Sequence, residues 1–183
     1  MSLKPGARVL GIAESYRETK STLAGAVVRI DRTVDGFVFE TCTVGGTDAT
    51  EAIRSVFERL DREDVQLVMI AGIAPAWFNI VDLRELRETT GLPVLSVSFE
   101  ESPGLEAAIA DAFEGEERAR RLETYRAQPP RHRVETEPPV FVRGVGCGNE
   151  RAATVVRHTT ETDRPEPVRV AQLAARAADW FRR

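Results

Sequence analysis

The sequence predicts an α/β protein built around a mixed sheet, and three observations carry that reading. Residues 7–44 hold runs of β-branched and aromatic residues broken by turn signals, with no helical period. From Asp48 onward the apolar residues fall at helical spacing and take turns with short, almost wholly apolar runs. Those runs barely alternate, which is the pattern of strands buried on both faces. A length of 183 residues suits one domain with a proper core.

Each element follows in order. "ARVLGIA" (7–13) is a short apolar strand, and "STLAGAVVRI" (21–30) and "GFVFETCTV" (36–44) are strand-formers joined through the hairpin signal Asp35-Gly36. Together they predict a three-stranded antiparallel meander. "DATEAIRSVFERL" (48–60) is a helix: Asp48 stands at its N-cap, Glu51 three residues on completes a capping-box spacing, and Ile53, Val56, Phe57 and Leu60 form its apolar face. "VQLVMIAG" (65–72) is a buried strand, "VDLRELRETTG" (81–91) a helix stopped by Gly91, and "LPVLSVS" (92–98) a second buried strand. Strand, helix, strand, helix, strand implies parallel pairing through right-handed crossovers.

"GLEAAIADAFEGEERARRLETYRA" gives one or two amphipathic helices with a break near Gly115. A polar linker containing His132, read as exposed, precedes a last strand, "PPVFVRG". Two helices close the chain. The second places Val170, Leu173, Ala174, Ala177 and Phe181 on one face, which reads as a core stripe. Three antiparallel strands, then βαβαβ, then helices, is the ribonuclease H-like layout, with a doubly wound sheet as its main competitor. Residues 7–183 form the single domain; residues 1–6 are an N-terminal leader whose "MSL" has the look of expression-vector residues.

Composition narrows the function. A net charge of −4 argues against a protein coated in basic surface, while leaving room for a local basic groove. Cys42 and Cys147 make no disulfide framework, and neither His132 nor His158 belongs to a zinc pattern. The sequence has neither a stretch of the roughly 20 apolar residues that span a bilayer nor a signal peptide, so no membrane association and a cytoplasmic location are expected.

"RVLGIAESY", "VGGTDATEAI", "IAGIAPAWFNIVDL", "GLPVLSV" and "RPEPVRVAQLAARA" occur in an order and spacing that resemble an archaeal domain-of-unknown-function family, number ninety-nine, related to endonuclease V. The resemblance runs from about residue 7 to 181. It implies a ribonuclease H-like fold and kinship to enzymes that cut nucleic acids with Mg²⁺. Such enzymes gather acids at the ends of the first and fourth strands and near the first helix, because Mg²⁺ is hard and takes oxygen ligands.

Where the family resembles Gly-Ile-Asp-Asp, this chain has Gly11-Ile12-Ala13-Glu14; where it resembles Leu-Asp-Gly, this chain has Ile70-Ala71-Gly72. An alanine methyl coordinates no cation, so the resemblance implies a weakened Mg²⁺ site. The remaining catalytic and metal-binding candidates are Glu14, which serves only if the first strand ends there, Asp48 and Asp82; the last two have plainer readings, Asp48 as a helix cap and Asp82 as first-turn dipole stabilisation. Asn79 either orients a ligand or caps the helix that follows it.

Four further features complete the inventory. "GVGCGNE" (144–150) is a glycine turn centred on Gly146, serving either an anion or tight packing, and its Cys147 has no nearby base. "EERARRLETYRAQPPRHR" (116–133) offers arginines to phosphates and Tyr125 to a base, or else forms a solvated helix face. Trp77 stacks on a base or makes a subunit contact if exposed, and plugs the sheet end if buried; Phe78 is expected to be buried.

Three functions stay open: a nucleic-acid-binding or interaction module with a degenerate metal site, an active Mg²⁺-dependent endonuclease using Glu14, Asp48 and Asp82, and a non-nucleic-acid homodimer.

Overall fold

The structure, a computed structural model, describes residues 4–183; the "MSL" stretch lies outside the described residues. Seven strands form one sheet in the order β3-β2-β1-β4-β5-β7-β6. β1 (Arg8–Tyr16), β2 (Lys20–Arg29) and β3 (Val34–Thr43) make the antiparallel meander, and β1, β4 (Val65–Ala71) and β5 (Val94–Ser98) run parallel. β7 (Val140–Val145) returns antiparallel to β5, and β6 (His132–Val134) pairs antiparallel with β7. The mixed-sheet expectation is met.

Helices cover both faces. α1 (Ala49–Leu60) and α3 (Leu83–Thr90) pack over Leu10, Ile12, Leu23, Val68 and Ile70, with Ile109 of α4 (Glu106–Ala112) and Tyr125 of α5 (Gly115–Arg126) in the same core. α6 (Asn149–Thr159) and the start of α7 (Glu166–Phe181) cover Val9, Leu67, Met69 and Val97 on the other face. Alternation along β1 sorts its side chains: Leu10 and Ile12 face α1, while Val9 and Ala13 face the α6/α7 layer. At Gly11 even a methyl is excluded, since a Cβ there would stand 2.0 Å from the Pro167 carbonyl oxygen, so α7 lies directly on the strand.

Four local expectations change. Asp48 occupies the N-cap of α1 but its side chain makes no capping bond, so the capping box does not form; Glu51 instead faces Arg54 at 3.6 Å. Only three residues make β6, too short a run to signal a strand inside a polar segment. Its His132 is half-buried, and burial pushes the imidazole pKa down. In α7 the face laid on the sheet is Val168, Ala171, Ala175 and Asp179. The stripe expected to be core is instead open, with Leu173 54 % and Phe181 85 % exposed, because the close approach at Gly11 sets the rotation of the helix.

Candidate functional site

The β4 strand ends at Ala71, and after Gly72 the chain makes a short turn, α2 (Pro75–Phe78), in which Ala76, Trp77 and Phe78 have φ of 50°, 54° and 60°. Three successive left-handed residues carrying side chains are strained, and they persist only where their surroundings fix them. Here the surroundings do so from several sides. The Glu14 carboxylate accepts from the Ala76 N–H at 2.9 Å, Gly45 N–H donates to the Ala76 carbonyl at 2.7 Å, and Arg121 donates to the Phe78 carbonyl at 3.2 Å. Arg121 is 3 % exposed and also donates to the carbonyls of Gly45 and Gly46, at 2.6 and 3.2 Å; burial lowers its pKa. Trp77, half-exposed, leans on Phe78 and Phe113.

Asn79 follows this turn and is fully buried. Its side-chain oxygen accepts from the Ala49 N–H at 2.9 Å, so it caps α1 from thirty residues away rather than α3 beside it. Its amide donates to the Thr43 carbonyl at 2.9 Å and to Asp48 at 2.7 Å. Asp48 also accepts from the Thr43 N–H and hydroxyl, at 3.0 and 2.9 Å. Burial raises the Asp48 pKa, but these bonds outweigh it and hold the carboxyl below its ordinary value. Glu14 accepts from the Ser21 hydroxyl with its other oxygen. Both Glu14 and Asp48 lie close enough to buried Cys42 to help raise its thiol pKa to about 12, after burial itself.

Asp82 is used differently. It is the N-cap of α3, accepting from the N–H groups of Arg84 and Glu85 at 3.0 and 3.2 Å. Among the described residues no three His, Cys, Asp or Glu side chains gather as a metal-binding group. Gly146 has φ of 82° and packs against Arg87, where a Cβ would meet the guanidinium at 2.7 Å. It follows Val145, which pairs with Val94 at the start of β5, so it stands at the opposite end of the sheet from Glu14.

A cleft of about 600 Å³ opens over the carboxyl ends of β1, β4 and β5. This is where parallel strands of α/β proteins commonly receive ligands. Ala13 and Ala71 both line it, and both pack in one small cluster with Ala26 and Ala171. Ser96 and Ser98 line its floor, and the charged lining is Glu14, Glu100, Arg131, Arg143, Arg164 and Arg176. Arg143 is 9 % exposed and donates to the Tyr125 hydroxyl at 3.0 Å and the Pro129 carbonyl at 2.7 Å. Tyr125 is itself buried, its hydroxyl also accepting from the Leu105 N–H at 3.0 Å. Of the arginines in 116–133, only Arg131 reaches the cleft. Sequence reasoning passed over Arg143, Arg164 and Arg176. The available signal was Arg143 itself, a guanidinium on the "PPVFVRG" strand directly after the buried run Val140–Val142.

Comparison with known proteins agrees with this architecture. The chain is 35% identical over 183 aligned residues to a UPF0215 protein of Methanopyrus kandleri, covering 94% of this chain and 91% of that one. A solved protein of unknown function from Archaeoglobus fulgidus superposes with a TM-score of 0.83 at 26% identity, covering 93% of this chain and 97% of that one. Endonuclease V of Ciona intestinalis, solved with a 24mer DNA containing an inosine followed by a ribo-adenosine, superposes with a TM-score of 0.68 at 14% identity, covering 97% and 87%. The fold is therefore endonuclease V-like, within the ribonuclease H-like class. Residues 5–179 match the family described as endonuclease dU. This chain belongs to that endonuclease V-related family.

Proposed function

We propose that the protein binds nucleic acid through the strand-end cleft and does not cut it efficiently. One observation carries this reading: Ala13 and Ala71, at the two strand ends where the related nucleases place acids, meet in one apolar cluster beside the cleft. Methyl groups there supply no oxygen to a divalent cation. The acids that remain support the same view. Glu14 and Asp48 already accept hydrogen bonds from the protein on both oxygens, and Asp82 caps α3. This donor set does not fit a two-ion Mg²⁺ centre, which needs several oxygen ligands converging on ions about 4 Å apart.

Nucleic acid is favoured as partner by the endonuclease V-like fold and by arginines that outnumber acids in the cleft of an acidic protein. The endonuclease dU family and the inosine-containing DNA held by Ciona endonuclease V suggest the probes: oligonucleotides bearing deoxyuridine or inosine. Purified protein should bind such single strands with an affinity that falls steeply between 50 and about 200 mM salt. It should leave them intact in Mg²⁺ or Mn²⁺. Metal-dependent cleavage that disappears in Asp48→Ala or Glu14→Ala would establish the active-endonuclease reading instead.

A second reading concerns assembly. Val170, Leu173, Ala174, Ala177 and Phe181 of α7 face Phe37 and Phe39 of the edge strand β3 across an apolar groove of about 870 Å³. Phe37 and Phe39 are 47 % and 40 % exposed, a contiguous apolar face of the kind that pairs. A second copy of the chain on this face gives a homodimer. Sedimentation of wild type against Leu173→Asp tests it: a dimer that becomes a monomer supports the reading, and a wild-type monomer at every concentration removes it.

A further inference from the structure

We propose that the strand-end cleft is a phosphomonoester site that holds its ligand on guanidinium groups alone, without a divalent cation. Three observations lead there. First, the charged lining is four arginines against two glutamates, a formal excess of two positive charges in a chain whose net charge is −4. A terminal phosphate carries close to two negative charges at neutral pH, whereas an internal phosphodiester carries one.

Second, three of the four arginines, Arg131, Arg143 and Arg176, have no ion-pair partner among the described residues. Arg143 is buried, and its two hydrogen bonds go to a neutral hydroxyl and a carbonyl. Arg131 donates only to the Ser98 hydroxyl and the carbonyls of Glu100 and Ser102, lying over the Phe141 ring. Arg176 makes no hydrogen bond or ion pair among the described residues; Arg164 bonds Gln172 at 3.0 Å and stands 3.9 Å from Asp163. A cation removed from water without an anion is costly, and each fork has N–H groups left to give. Glu14 makes no ion pair with them; its two oxygens accept from the Ser21 hydroxyl and the Ala76 N–H.

Third, the arginines share the cleft with Ala13 and Ala71, whose methyl groups supply no oxygen to a cation that would bridge to phosphate. Guanidinium forks match phosphate oxygens bidentately and need no cation between. A volume of about 600 Å³ admits a nucleotide-sized ligand. The phosphate has two sources, the phosphorylated end of a strand or a free nucleotide; the first rests on the nucleic-acid reading above.

The test is calorimetric titration of the intact protein in EDTA at about 100 mM salt. The probes are a single-stranded 10-mer with a 5′-phosphate, the same 10-mer with a 5′-hydroxyl, a nucleoside 5′-monophosphate and its parent nucleoside. Each phosphorylated probe should bind at least about tenfold more tightly than its unphosphorylated counterpart. Arg176→Ala, on an exposed position of α7 that leaves folding intact, should erase most of that difference, weakening each phosphorylated probe more than its unphosphorylated counterpart. Strand-end recognition predicts discrimination in both pairs. Discrimination in the mononucleotide pair with no binding of either 10-mer keeps the phosphate site and removes the nucleic-acid reading. Equal, salt-sensitive binding of both 10-mers with no mononucleotide binding keeps the nucleic-acid reading and overturns this proposal. A strict need for Mg²⁺ also overturns it.

Discussion

Ala13 and Glu14 are neighbours on one strand, yet they sit in opposite chemical worlds. On the α1 face lies a lattice of two hydrogen-bonded groups, Glu14 with Ser21 and the Ala76 N–H, and Asp48 with Thr43 and Asn79, in which every carboxylate oxygen has a donor. On the α7 face, Ala13 and Ala71 pack against Ala26 and Ala171. The difference shows what an acid needs at a strand end. Toward α1, the N–H groups of Ala76 and Thr43 and the side chains of Ser21, Thr43 and Asn79 take the place of solvent. Toward α7, the only group that would satisfy a carboxylate beside these methyls is a cation or an arginine brought in from the cleft.

The largest expected effect comes from forcing an acid onto the apolar side. Ala13 is 3 % exposed, so Ala13→Asp should lower stability by about 4 kcal/mol, the cost of an unpaired buried charge. Chemical denaturation measures it; a loss under about 1 kcal/mol would mean that the cleft's arginines reach the new carboxylate. The double variant Ala13→Asp/Ala71→Asp sharpens the comparison. A rise in its melting temperature with Mn²⁺, absent in wild type, marks these two positions as ion-binding ones, and no rise disconnects them from metal.

Breaking the polar side should cost less. Asn79→Ala removes the cap of α1 and the bonds to Thr43 and Asp48 from a fully buried site. The expected loss is about 3 kcal/mol, since the orphaned Ala49 N–H stays out of water and Asp48 loses a donor. Hydrogen exchange at the Ala49 amide should accelerate with it, and unchanged exchange would show that another group caps the helix.

Much of this fold is written in short-range pattern, and much of the site is not. The meander and the parallel strands follow from period and turn chemistry, since "ARVLGIA" and "VQLVMIAG" bury both faces whatever lies beside them. The Asp48–Glu51 spacing misled because a capping box is a local motif and the real cap, Asn79, arrives through the tertiary fold. α7 shows the same limit. It carries two apolar stripes, and helical spacing does not say which one meets the sheet; Gly11 under Pro167 does. Arg131, Arg143, Arg164 and Arg176 come from four separate segments, so no window along the chain contains the cleft.

The smallest expected effect is on acid stability. Asp48 has a folded pKa held below its ordinary value by Thr43 and Asn79 against the opposing push of burial. A depressed carboxylate contributes stability above its unfolded pKa and loses it as pH falls toward the folded one, a window that opens below about pH 4. Asp48→Asn, which keeps the shape, should flatten part of the fall in urea midpoint from pH 5 to about 2.5. The flattening is partial because Asp35, held to about 2 by hydrogen bonds from Arg29 and Arg8, titrates at the lower end. If the two midpoint curves run parallel throughout, Asp48 contributes nothing as an anion. The α1-face lattice would then rest on Asn79 and the backbone alone, and the contrast between the two sides of β1 would be one of shape rather than charge.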